Sequence, residues 1–215
     1  MNISIKHFAS KIAAALLASG MLINTAAMAE GTTPVYKLEV IVFESLATKG
    51  WTEEYWPEDI ELPDIENSIS VYNSKQGALW INPSQKSLAG KAVALNKKGY
   101  RVLFHEAWTQ FGYPDRKVKR VLLESANPYG SSVLGTLRFY KTRFAHVEFD
   151  LQLEKAIPQR VKQSFIENQK ISANNLPDQW RFNLQESRKI RPGELHYLDH
   201  PLFGVLVQIS KIEKS

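Results

Sequence analysis

Four histidines lie beyond residue 29, namely His105, His146, His196 and His200, and they bound the chemistry open to the chain. The last two fall in Arg188 to Val207, the window densest in basic, acidic and imidazole groups. There His196-x-x-Asp199-His200 has the spacing of an inverted zincin motif, in which two histidines one helical turn apart hold zinc and the carboxylate between them acts as base. That chemistry needs a regular helix and a third ligand. Pro192-Gly193 and Pro201 leave space for roughly two turns, and the acid is Asp rather than Glu. His105-Glu106 opens like the direct zincin motif, but Thr109 stands where the second His belongs. His146 lies in a strand pattern beside Glu148. A metal-dependent hydrolase using His196, Asp199 and His200 is therefore the minor reading. Histidines scattered over strands more often satisfy backbone groups, and no cofactor is implied.

Nucleophilic catalysis has less support. The chain contains neither G-x-S-x-G nor S-x-x-K, and its carboxylates, Glu148, Asp150, Glu194 and Asp199 among them, show no spacing that singles out a glycosidase pair. The expectation is a protein that is not an enzyme. Binding is easier to motivate: Arg forks suit carboxylates, and rings stack on sugar faces. Arg181, Arg188, Lys189 and Arg191, with Trp180 and Tyr197 close in sequence, supply both kinds of group. The structural alternative is that these cations keep a sheet edge soluble. It extends to 192–202, where Asp199 would cap amides, His196 and His200 would satisfy carbonyls, and Tyr197 and Leu198 would cover the sheet end.

The elements that must position these groups begin after residue 29. Lys6 and Lys11, the apolar run Ile12 to Ile23 and Ala27-Met28-Ala29 have the layout of a signal peptide cleaved after Ala29, which leaves 30–215 as one exported domain. The apolar run is shorter than the ~20 residues of a membrane span, so no membrane anchor is expected. Cysteine is absent, which excludes disulfides, thiolate chemistry and a lipidated Cys. Removing two leader lysines lowers the net charge from +5 to +3, and the signs are mixed along the chain. Nucleic acid is therefore not expected as a partner.

Tyr36 to Phe43 alternates and then turns continuously apolar, as a central strand does. Ser45 to Ile81 is a long aromatic and proline-rich loop, whose tryptophans are expected to staple it to the core. Asn82-Pro83-Ser84-Gln85 reads as a helix start, with Leu88, Ala92 and Leu95 on one face and Gly99 closing the helix. Strands are expected at Tyr100 to Thr109, Val118 to Leu123, Trp180 to Leu184 and Phe203 to Ile209, with a short polar helix in Pro158 to Ile171. Val133 to Leu153 alternates almost without a break. It is either a hairpin turning near Lys141-Thr142-Arg143 or a long bent ribbon, and the lack of Gly, Asn or Pro there favours the ribbon. The sum is an α+β single domain, a mostly antiparallel or mixed β-sheet of about seven strands with one or two helices.

Three windows resemble the CsiV family. They are Gly99 to Gln110, Arg143-Phe144-Ala145-His146-Val147, and Arg188 to Val207, whose run Glu194-Leu195-His196-Tyr197-Leu198-Asp199-His200-Pro201 is the specific part. Phe144-Ala145 stands where the family tends to have Tyr-Leu, and Lys189-Ile190 where Arg-Met is usual, which marks a divergent member. The resemblance implies a periplasmic peptidoglycan-binding adaptor that supports cell-wall assembly with the lipoprotein activator of a bifunctional penicillin-binding protein. The alternatives remain a cell-wall hydrolase and a structural interaction domain that does not bind wall. Side chains of these windows, His105, Trp108, Arg143 and His146, join Arg181, Arg188, Arg191, Glu194, His196, Tyr197, Asp199 and His200 as candidate ligand-binding residues.

Overall fold

A computed structural model describes residues 33–72, 80–81 (backbone only) and 86–213. The expected signal peptide and the expected helix start at Asn82-Pro83 lie outside them. The described chain is α+β, with two five-stranded sheets facing each other across one core.

The first sheet is built on β1 (Val35–Ser45), the expected central strand. It pairs antiparallel with β4 (Tyr100–Phe111) on one side and β10 (Phe203–Ile212) on the other. The two-residue β3 (Trp80–Ile81) and β9 (Leu195–Asp199) form the edges. Tyr36, Leu38, Val40 and Val42 point into the shared core. Ile41 and Phe43 point the other way, where Leu88 packs on them with Ala92 and Leu95 of the helix α1 (Ala89–Lys97). This double covering is why the second half of β1 loses its alternation. The helix begins at Ala89, and Gly99 at φ +86 ends it in a left-handed conformation open to glycine. Its entry is held by a strand side chain: the buried Glu39 carboxylate accepts the Ser87 and Leu88 amides, each at 2.7 Å, and a ring nitrogen of His105 lies 2.8 Å away.

The second sheet runs β2 (Ile69–Ser70), β5 (Val121–Asn127), β6 (Ser131–Lys141), β7 (Ala145–Ala156) and β8 (Gln179–Ile190). All its pairings are antiparallel except β2 with β5. Leu137, Phe139, Val147, Phe149, Leu151 and Leu153 are buried, as their parity requires. The bent-ribbon expectation is corrected here, because Thr142 to Phe144 turn the chain into a hairpin with Lys141 opposite Ala145. None of the turn residues needs a positive φ. The Thr142 amide bonds the Phe144 carbonyl at 3.0 Å, and the Lys141 ammonium bonds the carbonyls of Thr142 and Arg143, so side-chain hydrogen bonding replaces turn composition. The polar helix is α2 (Lys162–Gln169).

The loop after β1 is stapled as expected at two points. Trp51 and Trp56 are buried against Phe182, with ring centroids 5.2 Å apart in each case. Beyond Trp56 the loop crosses the outward face of the second sheet. Gln152 on β7 reaches the Glu61 carbonyl at 3.5 Å, and Asp64 pairs with Arg120 at 3.2 Å just before β2 joins the far edge.

Candidate functional site

Among the depressions in the described surface, one is lined by polar and charged groups that the fold brings in from four strands. Glu44 follows Val42 by one pleat and so keeps the core-facing parity of β1, at the rim where the sandwich ends. A register shift against β4 at Val42/Phe43 sets Arg101 directly opposite it. Lys155 continues the core-facing parity of β7 from the second sheet, and Ser131 opens β6. Glu44 has no exposed side-chain surface; its Oε1 accepts Arg101 Nη1 at 2.8 Å, and its Oε2 lies 2.8 Å from Lys155 Nζ and 2.9 Å from Ser131 Oγ. Burial pushes the Lys155 pKa below its ordinary value, with the Glu44 charge opposing.

Above this base lies a cavity of about 400 Å³, lined also by Leu46, Trp51, Tyr129, Pro158 and Arg160. Tyr129, in the β5–β6 turn, is 71% exposed and holds the Arg101 guanidinium 4.5 Å from its ring centroid. Arg160 bonds the Leu46 carbonyl at 3.4 Å with one nitrogen and is otherwise exposed. The indole N–H of the buried Trp51 has no partner among the described residues. Arg101, Lys155 and Arg160 thus line a cavity whose one carboxylate has both oxygens engaged, beside the Tyr129 ring. Such a site takes an acceptor, above all an anion, attached to something flat or apolar. The larger depression beside β8, about 670 Å³, has the opposite character, because Glu58, Glu154 and Asp178 face a single Arg181 there.

The twelve residues expected from sequence do not gather at one place. Trp108 is buried in the core, its indole bonded to Gln110 at 2.8 Å. His105 is occupied with Glu39 on the helix-covered face of the first sheet. Tyr197 lies on that same face, stacked on Phe43 at 6.1 Å and bonded to Asp199, and burial followed by the Asp199 contact raises its pKa. Arg181 pairs with Glu154 at 2.8 Å. Arg188 pairs with Glu186 and donates to the Tyr197 carbonyl at 2.6 Å, which ties the edges of the two sheets together. Arg191 and Glu194 are exposed neighbours 3.5 Å apart. Arg143 and His146 sit at the β6–β7 tip, with the His146 ring stacked on Tyr140 at 5.0 Å.

The zincin spacing is corrected by the backbone. Residues 195–199 are a strand, where a helix would be required, so His196 and His200 are separated by about 13 Å of extended chain. His196 Nε2 accepts the Arg191 amide at 3.2 Å, and His200 Nδ1 accepts the Leu202 amide at 3.2 Å. His200 packs among Trp56, Phe182 and Phe203, and burial pushes its pKa down to about 4 against the pull of Asp199. Both imidazoles serve the backbone, and among the described residues no group of three or more His, Asp or Glu is placed to hold a metal.

Residues 11–212 match the family model described as "Peptidoglycan-binding protein, CsiV". The chain belongs to the CsiV family. No curated protein and no solved structure matches it. The residues of the rim cavity were missed by the sequence reading of this CsiV chain. Their one legible signal is charge at core parity, Glu44 closing the apolar run of β1 and Lys155 that of β7.

Proposed function

We propose that this protein is a periplasmic, non-catalytic adaptor that binds peptidoglycan and holds it near the lipoprotein activator of a bifunctional penicillin-binding protein. Membership of a peptidoglycan-binding family carries the reading. The donor-lined cavity beside Tyr129 supports it, because peptidoglycan combines sugar faces with peptide carboxylates. Engagement of both histidines of the closing run by backbone amides weighs against a metal hydrolase centred on them. No helix among the described residues is long and apolar enough to cross a membrane. The adaptor would act by raising the local concentration of wall and activator for each other.

Co-sedimentation of the purified protein with isolated sacculi tests the reading. Binding that persists at physiological salt and in the presence of chelator, with no muropeptide released from the pellet, is the expected result. Failure to sediment at low salt would overturn wall binding, and release of muropeptides would overturn the non-catalytic assignment.

A further inference from the structure

We infer that the rim cavity recognises a free carboxylate of a peptidoglycan stem peptide, with Arg160 and Arg101 holding the anion and Tyr129 covering the adjoining peptide or sugar. The inference rests on the wall-binding reading and adds the place and the chemical group recognised. Three observations converge on it. Glu44 is fully buried with both oxygens engaged, so it sets the positions of Arg101 and Lys155 and has no free oxygen to turn toward the cavity. The cations outnumber it, which gives the site a net positive charge. The Arg101 guanidinium is pinned between Glu44 and the Tyr129 face, which removes the rotamer entropy a free Arg loses on binding. A neutral glycan would leave the Arg101 and Arg160 guanidiniums without a counter-charge, which a carboxylate supplies.

A carboxylate in the wall can also be borne by sugar, and the test separates the two sources. Isothermal titration of the purified protein would use four probes: a disaccharide-peptide released from sacculi by a muramidase, the free stem peptide, that peptide with its carboxyls amidated, and the peptide-free disaccharide with its sugar carboxylate intact. The first two are expected to bind alike, and amidation is expected to cost at least about tenfold in affinity. Arg160→Gln and Tyr129→Ala, both at exposed side chains, are each expected to weaken binding of the free peptide by about tenfold while leaving the unfolding midpoint unchanged.

Unchanged affinity in both variants, or equal affinity for the amidated peptide, would overturn the assignment. Equal binding of the peptide-free disaccharide would move the recognised carboxylate to the sugar and overturn the peptide source. Sedimentation with sacculi, run in parallel, keeps the two readings apart. Wild-type protein that pellets while the variants bind peptide normally removes this site but leaves wall binding standing; wild-type protein that fails to pellet removes both.

Discussion

Replacing Glu44 by Gln changes the charge at the base of the cavity while nearly preserving its volume. The carboxylate has no exposed surface, and Lys155 beside it is 9% exposed, so in the variant an ammonium is left in the rim without its counter-charge. Breaking a buried pair in this way costs about 3–5 kcal/mol. An upper limit follows independently, because Lys155 can escape the penalty by losing its proton. From an unfolded value near 10.5, neutralising it at pH 7 costs about 5 kcal/mol. Burial already lowers the Lys155 pKa in the wild type, and losing Glu44 lowers it further.

The folded variant binds fewer protons at Lys155 than the unfolded chain, so its stability rises with pH toward 10.5. The deficit relative to wild type should shrink by up to about 1.4 kcal/mol per pH unit above neutrality. Urea unfolding followed by tryptophan fluorescence at pH 7 and pH 9 measures both quantities. Adding Lys155→Met to Glu44→Gln should recover most of the loss, since contacting residues are not additive. A deficit under about 1 kcal/mol at pH 7, or one that is the same at pH 9, would refute the claim that a buried charge cluster builds this site.

Glu39→Gln should loosen the entry of α1, seen as faster amide exchange at Ser87, Leu88 and the first helical turn. Burial alone would raise the Glu39 pKa, but the hydrogen bonds from Ser87, His105 and Leu88 outweigh it and hold the group below 4.5, so its stabilisation is present above that pH and fades as pH falls through the lowered folded value. Gly204→Ala places a methyl 2.8 Å from the rings of both Phe43 and Tyr197 and should cost about 1–3 kcal/mol by overpacking, measured by urea unfolding. His200 is held neutral, so wild-type stability should fall as pH drops from 6.5 toward 4, by up to about 3 kcal/mol, and His200→Asn should flatten that limb of the profile.

The fold was legible wherever burial writes a period into the chain. The parity of Leu137, Phe139, Val147 and Phe149 and the unbroken apolar end of β1 both state which faces are covered. What escaped was held by side chains acting on backbone. The 142–144 turn is closed by Lys141, and α1 is entered through Glu39, a residue 48 positions away from Ser87, so neither shows the usual turn or cap composition. The site was less legible for the same reason. The partners of Glu44 lie 57 and 87 residues away at Arg101 and Ser131, and only a fold connects them. His196-x-x-Asp199-His200 illustrates the converse error: a spacing that means proximity on a helix means separation on β9.

The proposed adaptor would need two surfaces that can be occupied together, and the rim cavity and the β6–β7 hairpin tip stand at opposite ends of β7. The rim cavity uses Lys155 at one end. At the other, Arg143, the 42%-exposed Phe144, His146 and Lys189 cluster on the hairpin tip, with the Lys189 ammonium 3.2 Å from the Phe144 ring centroid. Ten residues of extended chain put roughly 30 Å between them, enough for a glycan-peptide and a protein surface to bind without collision. The Arg143 and Lys189 cations at the tip suit an acidic protein surface. On that reading, paired Phe144→Ala and Lys189→Ala substitutions should weaken pull-down of the activator lipoprotein while leaving sedimentation with sacculi intact, and Arg160→Gln should weaken sedimentation while leaving the pull-down intact. With both sites intact, retention of the lipoprotein on sacculi in the presence of this protein should exceed the sum of the separate interactions, as effective concentration requires. Competition between sacculi and lipoprotein for the protein would refute the two-ended arrangement, because a bridge cannot form from surfaces that exclude each other.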